Sequence, residues 1–143
     1  MATQSNEAIV REWVEVGLNG GDLTLVDKHF APDYRLTGPG AEVVGQEAFK
    51  GFTAMWRTAF PDVRFSLVDL VAADDKVAWH FVITGTQDGE IFGIPVTHRP
   101  VSVEVMVISR FVDGKWVEDH VVFDQLGMLQ QLGALAMPEA AAN

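Results

Sequence analysis

Residues 115–121 read Lys-Trp-Val-Glu-Asp-His-Val. If the stretch is a strand, its side chains alternate, so Val117, Asp119, Val121 and Phe123 share one face while Glu118 and His120 take the other. Pairing across Asp113-Gly114 that sets Arg110 opposite Glu118 matches opposite charges and brings Ser109 beside Asp119 and Val107 beside Val121. A strict two-residue turn would instead slip this register by one and flip one strand relative to the other. A carboxylate among Val105, Val107, Val121 and Phe123 is costly to ionise. Its pKa should rise toward the range where one group can both take and return a proton. The plainer readings of Asp119 are an exposed hairpin residue or one half of a structural ion pair.

Other chemistry finds less support. The chain has no cysteine, which excludes disulfides, thiol nucleophiles and Cys-ligated metals. The four histidines, at 29, 80, 98 and 120, lack the spacing of a zinc site, so no metal is expected. No glycine-rich phosphate loop and no G-x-S-x-G motif is present. Arg35 and Thr37 lie on one face of a short strand with Asp33; an Arg there commonly reaches solvent. Asp62, after a proline, and Asp124, before a helix, read as caps.

Ten Lys+Arg against twenty Asp+Glu give a net charge of −10, which repels phosphate backbones and anionic lipid; neither nucleic acid nor a membrane is an expected partner. No apolar run is long enough to span a bilayer and no secretory signal is visible, so a cytoplasmic location is expected. The length of 143 residues suits one domain, placed at 1–136, with 137–143 a frayed tail.

The elements that must position these residues change period part-way along the chain. Ile9, Val10, Trp13, Val14 and Val16 form a helical stripe with Ser5 or Asn6 as N-cap, ended by Asn19-Gly20-Gly21. A short second helix from Asp22 should bury Leu23, Val26 and Phe30 and stop at Pro32. A strand is expected over 33–37, then a third helix from Gln46 with Phe49, Phe52, Trp56 and Ala59/Phe60 on one face. After Pro61 the period becomes 2, giving strands over 63–71, 76–86, 96–112 and 115–124, with hairpin chemistry at Gln87-Asp88-Gly89 and Asp113-Gly114. A closing helix is expected over 125–135. This pattern is α+β, helices packed on one face of a curved antiparallel sheet. The long strands are apolar on both sides, with Val103, Val105 and Val107 on one and Met106 and Ile108 on the other. The outer side then needs a cover, which predicts a homodimer.

Phe30-Ala31-Pro32-Asp33-Tyr34, Phe60-Pro61-Asp62-Val63, Gly85-Thr86 with Gly93-Ile94-Pro95, Asp113-Gly114-Lys115 and Gln131-Leu132-Gly133 occur in order along nearly the whole chain. This pattern resembles the SnoaL-like polyketide cyclase family of the NTF2-like, cone-shaped fold. The resemblance implies three to four helices on the concave face of the sheet and a deep apolar pocket between them. It also implies a carboxylate on the last strand that works as acid and base with no cofactor or metal. Aligned without a gap, the family's catalytic Asp falls on Val121 and its nearby His on Asp119. If the family position faces the pocket, Asp119 does too.

By the same resemblance the face carrying Arg35 and Thr37 points to the pocket mouth, where either could steady an enolate. An Arg35–Asp119 pair would partly echo the Asp–Arg–Asp arrangement of related epoxide hydrolases. Trp13, Trp56, Trp79, Phe81, Val107, Ser109, Val121 and Phe123 are the expected wall of a small apolar substrate's site, although such aromatic stripes also make ordinary core. The expected activity is an aldol-type cyclisation or isomerisation of a polyketide-like or cyclic molecule. An epoxide hydrolase and a non-catalytic ligand- or partner-binding module remain as alternatives.

Overall fold

Ser5 begins the first helix, its hydroxyl accepting from the Ala8 N–H at 3.1 Å. The computed structural model describes residues 4–135; the tail 137–143 lies outside them. Helix α1 (Asn6–Glu12) runs into a π-helical segment (Trp13–Asn19), whose wider winding lays the Trp13 ring across Gly17, where a Cβ would collide with it. Asn19 closes the segment and ties it to the sheet: its amide donates to the Phe65 carbonyl at 2.7 Å and accepts from the Phe65 N–H at 2.8 Å. Helix α2 (Thr24–His29), helix α3 (Gln46–Ala59) and helix α4 (Gln125–Gln131) follow. Asp124 caps α4, accepting from the Gly127 N–H at 2.9 Å.

Six strands form one curved, unclosed sheet in the order β2-β1-β6-β5-β4-β3. They are β1 (Phe30–Gly38), β2 (Ala41–Val44), β3 (Arg64–Ala73), β4 (Lys76–Thr86), β5 (Pro100–Val112) and β6 (Lys115–Phe123). All neighbours are antiparallel except β1 and β6, which run parallel. The architecture is α+β, as expected. One buried cluster joins Ile9, Val10, Trp13, Phe49, Trp56 and Phe60 from the helical side to Phe65, Trp79, Phe81, Val103, Val105 and Trp116 from the sheet.

Several expectations need correction. Phe30 is buried but starts β1 rather than ending α2. Pro32 therefore sits in a strand; it is tolerated because β2 pairs only with residues from Arg35 onward and the β1–β6 ladder is irregular between Phe30 and Arg35. Strand β2 was not expected. The tight turn lies at Asp74-Asp75, where Ala73 pairs with Lys76; Gln87-Asp88-Gly89 instead opens a longer loop, and β5 begins at Pro100 rather than at 96. Helix α4 ends at Gln131, short of 135.

The last hairpin resolves the register question. Asp113 and Gly114 have φ of 51° and 78°, the two-residue turn with both central residues left-handed, and Val112 pairs with Lys115. Yet Arg110 pairs with Glu118, Ser109 with Asp119 and Val107 with Val121. Both hold because a β-bulge at Val117 inserts one residue between them. In consequence Trp116, not Val117, takes the inner side, and the inner row reads Trp116, Asp119, Val121, Phe123.

Candidate functional site

The curved sheet and the helices enclose a cavity of about 290 Å³. Trp79, Phe81 and Ile83 of β4, Val105 and Val107 of β5, and Asp119, Val121 and Phe123 of β6 line the sheet side. Trp13 and Leu18 from the first helical segment and Phe49, Phe52, Thr53 and Trp56 of α3 line the other. Leu36, Ala41, Phe65, the Gly38–Pro39–Gly40 turn, Phe92 and Gln125 complete the wall. Among these residues Asp119 is the one titratable side chain.

Asp119 is 3% exposed and receives three hydrogen bonds. Ser109 and Trp116 donate to Oδ1, the indole N–H from 2.8 Å, and the Tyr34 hydroxyl donates to Oδ2. Behind Ser109, the Trp79 indole N–H donates to its hydroxyl oxygen at 2.9 Å, so that hydroxyl proton is aimed at Asp119. Burial raises the Asp119 pKa from 3.8 to about 6, and the Ser109, Tyr34 and Trp116 bonds hold it from going higher. Tyr34 goes the other way from acidity: burial first, then the adjacent carboxylate, hold its hydroxyl well above the usual tyrosine range, so it stays a donor. The arrangement is a carboxyl poised near neutrality in an apolar, aromatic chamber, a group that can accept a proton from carbon and give one to oxygen.

Of the residues singled out in the sequence, Trp13, Trp56, Trp79, Phe81, Val107, Asp119, Val121 and Phe123 line the cavity. Ser109 is buried directly behind Asp119. Arg35 and Thr37 are elsewhere. Tyr34 and Leu36 take the inner side of β1, so Arg35 points out and bonds Glu42 at 3.1 Å, and no Arg35–Asp119 pair forms. Thr37 is registered beside Glu42 and the exposed His120. His98 turns to Asp88 at 2.9 Å, His80 to Glu104 and His29 to Glu12. Among the described residues no group of three His, Asp or Glu side chains could hold a metal ion. Tyr34 and Trp116 were missed; the apolar alternation Tyr34, Leu36 was the signal for the first, and the conflict between turn and charge pair was the signal for the second.

A family model for SnoaL-like polyketide cyclases matches residues 8–132. The chain belongs to the SnoaL-like polyketide cyclase family. A curated relative, the nogalonic acid methyl ester cyclase of Streptomyces nogalater, is 31% identical over 121 residues, spanning 80% of this chain and 88% of the relative. Among solved structures, TsrD from Streptomyces laurentii is 32% identical with a TM-score of 0.81, covering 92% of this chain and 100% of TsrD. A Catenulispora acidiphila protein with a ketosteroid isomerase-like fold superposes with a TM-score of 0.75 at 20% identity, covering 94% of this chain and 100% of its own. This likeness speaks for the fold. Membership of the SnoaL-like family fits the cone of helices over a curved sheet and the cavity within it. No helix among the described residues is long and apolar enough to cross a membrane.

Proposed function

We propose that this SnoaL-like protein closes a ring in a small, flat, largely apolar polyketide-like molecule by cofactor-free acid–base catalysis, with Asp119 as the catalytic residue. The observation that carries the reading is the lone carboxyl on the cavity wall with its pKa lifted to about 6. In the aldol version the Asp119 carboxylate removes a proton from a carbon beside a carbonyl. The resulting enolate carbon attacks a second carbonyl of the same molecule, forming the new C–C bond, and the alkoxide takes the proton back from the Asp119 carboxyl. The aromatic walls hold the substrate folded, and that orientation supplies much of the rate.

Arg35 and Thr37 are not placed to steady the enolate. Thr53 and Gln125 are the neutral polar side chains other than the tryptophans on the lining, and the Thr53 hydroxyl already donates to the Lys50 carbonyl at 2.9 Å. The Gln125 amide on the lining is the side-chain amide proposed to donate toward the developing oxyanion. The outward Arg35 also removes the feature that favoured an epoxide hydrolase. Val121 at the family's usual catalyst position favours the second reading, a non-catalytic binding module.

The test offers nogalonic acid methyl ester as a probe substrate and follows ring closure together with deuterium uptake at the acidic carbon. Asp119→Asn should lose about 10²–10⁴-fold in turnover while still binding the probe. Turnover that survives the substitution would remove Asp119 from the chemistry. Binding by the wild-type protein with neither ring closure nor exchange would favour the binding module.

The same proposal includes a homodimer through the outer sheet face. Met106, Ile108 and Val122 stand there side by side on β5 and β6, each more than half exposed, and an apolar patch of this kind calls for a cover. Met106→Lys with Val122→Lys should yield a folded monomer by sedimentation; a monomeric wild-type protein at micromolar concentration would refute the dimer.

A further inference from the structure

Two tight turns share one geometry and differ in chemistry. At Asp113-Gly114 both central residues are left-handed, and Asp-Gly is a pair that this turn prefers. At Phe92-Gly93 φ is 50° and 77°, and Ile91 and Ile94 close the turn with backbone bonds of 3.3 and 2.8 Å. Four non-glycine residues among those described have positive φ: Asp74, Phe92, His98 and Asp113. Asp and His tolerate that region; a phenylalanine there is an outlier, and such strain persists only where the surroundings impose it.

Here they do. Gln87 is fully buried beneath the loop; its amide donates to the Ile94 carbonyl at 3.1 Å and accepts from the Thr97 N–H at 3.1 Å. The Asp88 and Gly89 N–H groups donate to the Ala59 carbonyl at 2.8 and 3.0 Å, anchoring the loop to the end of α3. What the strained position achieves is the placing of one ring. Phe92 is 46% exposed yet lines the cavity, which puts it at the rim, edge-on to Trp56 with centroids 5.8 Å apart and planes at 79°.

We propose that Phe92 is the specificity-determining residue of the cavity mouth, a fixed side wall that, with Trp56, selects a flat, uncharged aromatic ligand. This rests on the reading of the cavity as the ligand site. The two walls at a right angle would touch the face and the edge of a planar ring system, an arrangement that aromatic pairs favour.

The test uses N-phenyl-1-naphthylamine, a neutral probe that fluoresces in apolar surroundings, with Phe92→Leu, Phe92→Asn and, on the distant turn, Asp113→Phe. Both Phe92 variants should bind the probe about tenfold more weakly, the loss of one good aromatic contact. Both lack the ring, but only Asn suits a left-handed backbone, so Phe92→Asn should melt about 2–5 °C above Phe92→Leu. Asp113→Phe should lower the melting temperature and leave probe affinity at the wild-type value. Equal affinity in the wild-type protein and the two Phe92 variants overturns this proposal alone, as does a Phe92→Asn that melts no higher than Phe92→Leu or an Asp113→Phe that binds as weakly as they do. A wild-type protein that does not bind the probe overturns the cavity reading with it.

Discussion

Glu118 and Asp119 are consecutive carboxylates on one strand, and they live in different solvents. Glu118 lies on the outer face, one-third exposed, with the Arg110 guanidinium at 3.1 Å. Asp119 lies on the inner face with three neutral donors and no cationic partner in contact. A cation would lower the carboxyl pKa and fix the charge. Neutral donors in an apolar chamber soften the cost of ionisation without abolishing it, and so leave the group able to change state near neutrality. The β-pleat alone separates the two environments, by one residue.

The sharpest way to break this contrast is to neutralise each acid in turn. Asp119→Asn should cost about 10²–10⁴-fold in turnover, whereas Glu118→Gln should stay within about twofold, since it removes a partly exposed ion pair worth about 0.2–1 kcal/mol. Steady-state rates on the same probe substrate check both. Equal losses would mean that the outer face takes part in the chemistry.

A second contrast lies in stability. The folded-state pKa of Asp119 is about 6 against an ordinary carboxyl value of 3.8, so the folded protein holds this proton more tightly than the unfolded chain. This contribution to stability is fully present below pH 3.8 and is lost as the pH rises through about 6, by about 3 kcal/mol in all. Urea unfolding of the wild-type protein and Asp119→Asn across that window should therefore show a difference in stability that changes by about this amount, with the wild type losing ground as pH rises. Glu118→Gln should follow the wild-type curve. A constant difference between wild type and Asp119→Asn would mean that the carboxyl is not shielded.

Smaller effects come from the donors. Tyr34→Phe removes one bond to the carboxylate with little change of shape, and Trp116→Phe removes another while leaving a void where the larger indole sat; each should raise the Asp119 pKa further, by about one unit at about 1 kcal/mol per lost bond. Arg110→Ala should leave it in place. The direction matters most: a donor variant that lowered the pKa would contradict the picture of neutral donors stabilising the ionised form.

Much of this site was legible in the sequence, and its gaps have physical causes. Alternation put Asp119, Val121 and Phe123 on one face and the family likeness turned that face inward, while Trp13, Trp56, Trp79 and Phe81 followed from helical and strand periods, because long amphipathic elements advertise their buried face. Trp116 was lost to the bulge. The Asp113-Gly114 turn demands one register and the Arg110–Glu118 pair another; taken as rivals they hide the bulge, and taken together they require it. Arg35 was assigned inward because family likeness outweighed the alternation of Tyr34 and Leu36, although a bulky aromatic and a leucine two apart claim the buried side of a strand. Strand β2, four residues with a mostly exposed face, carries too little apolar pattern to stand out. Phe92 was invisible for a different reason: its role rests on a backbone conformation that its residue type argues against.

The most direct measurement is the titration of the Asp119 carboxyl carbon by NMR, in protein labelled with carbon-13 at aspartate and assigned by comparison with Asp119→Asn. A midpoint near 6, moving upward in Trp116→Phe and Tyr34→Phe, is the expected result. A midpoint at the ordinary aspartate value of about 3.9, unmoved by either substitution, would place the carboxyl in contact with water and contradict the account.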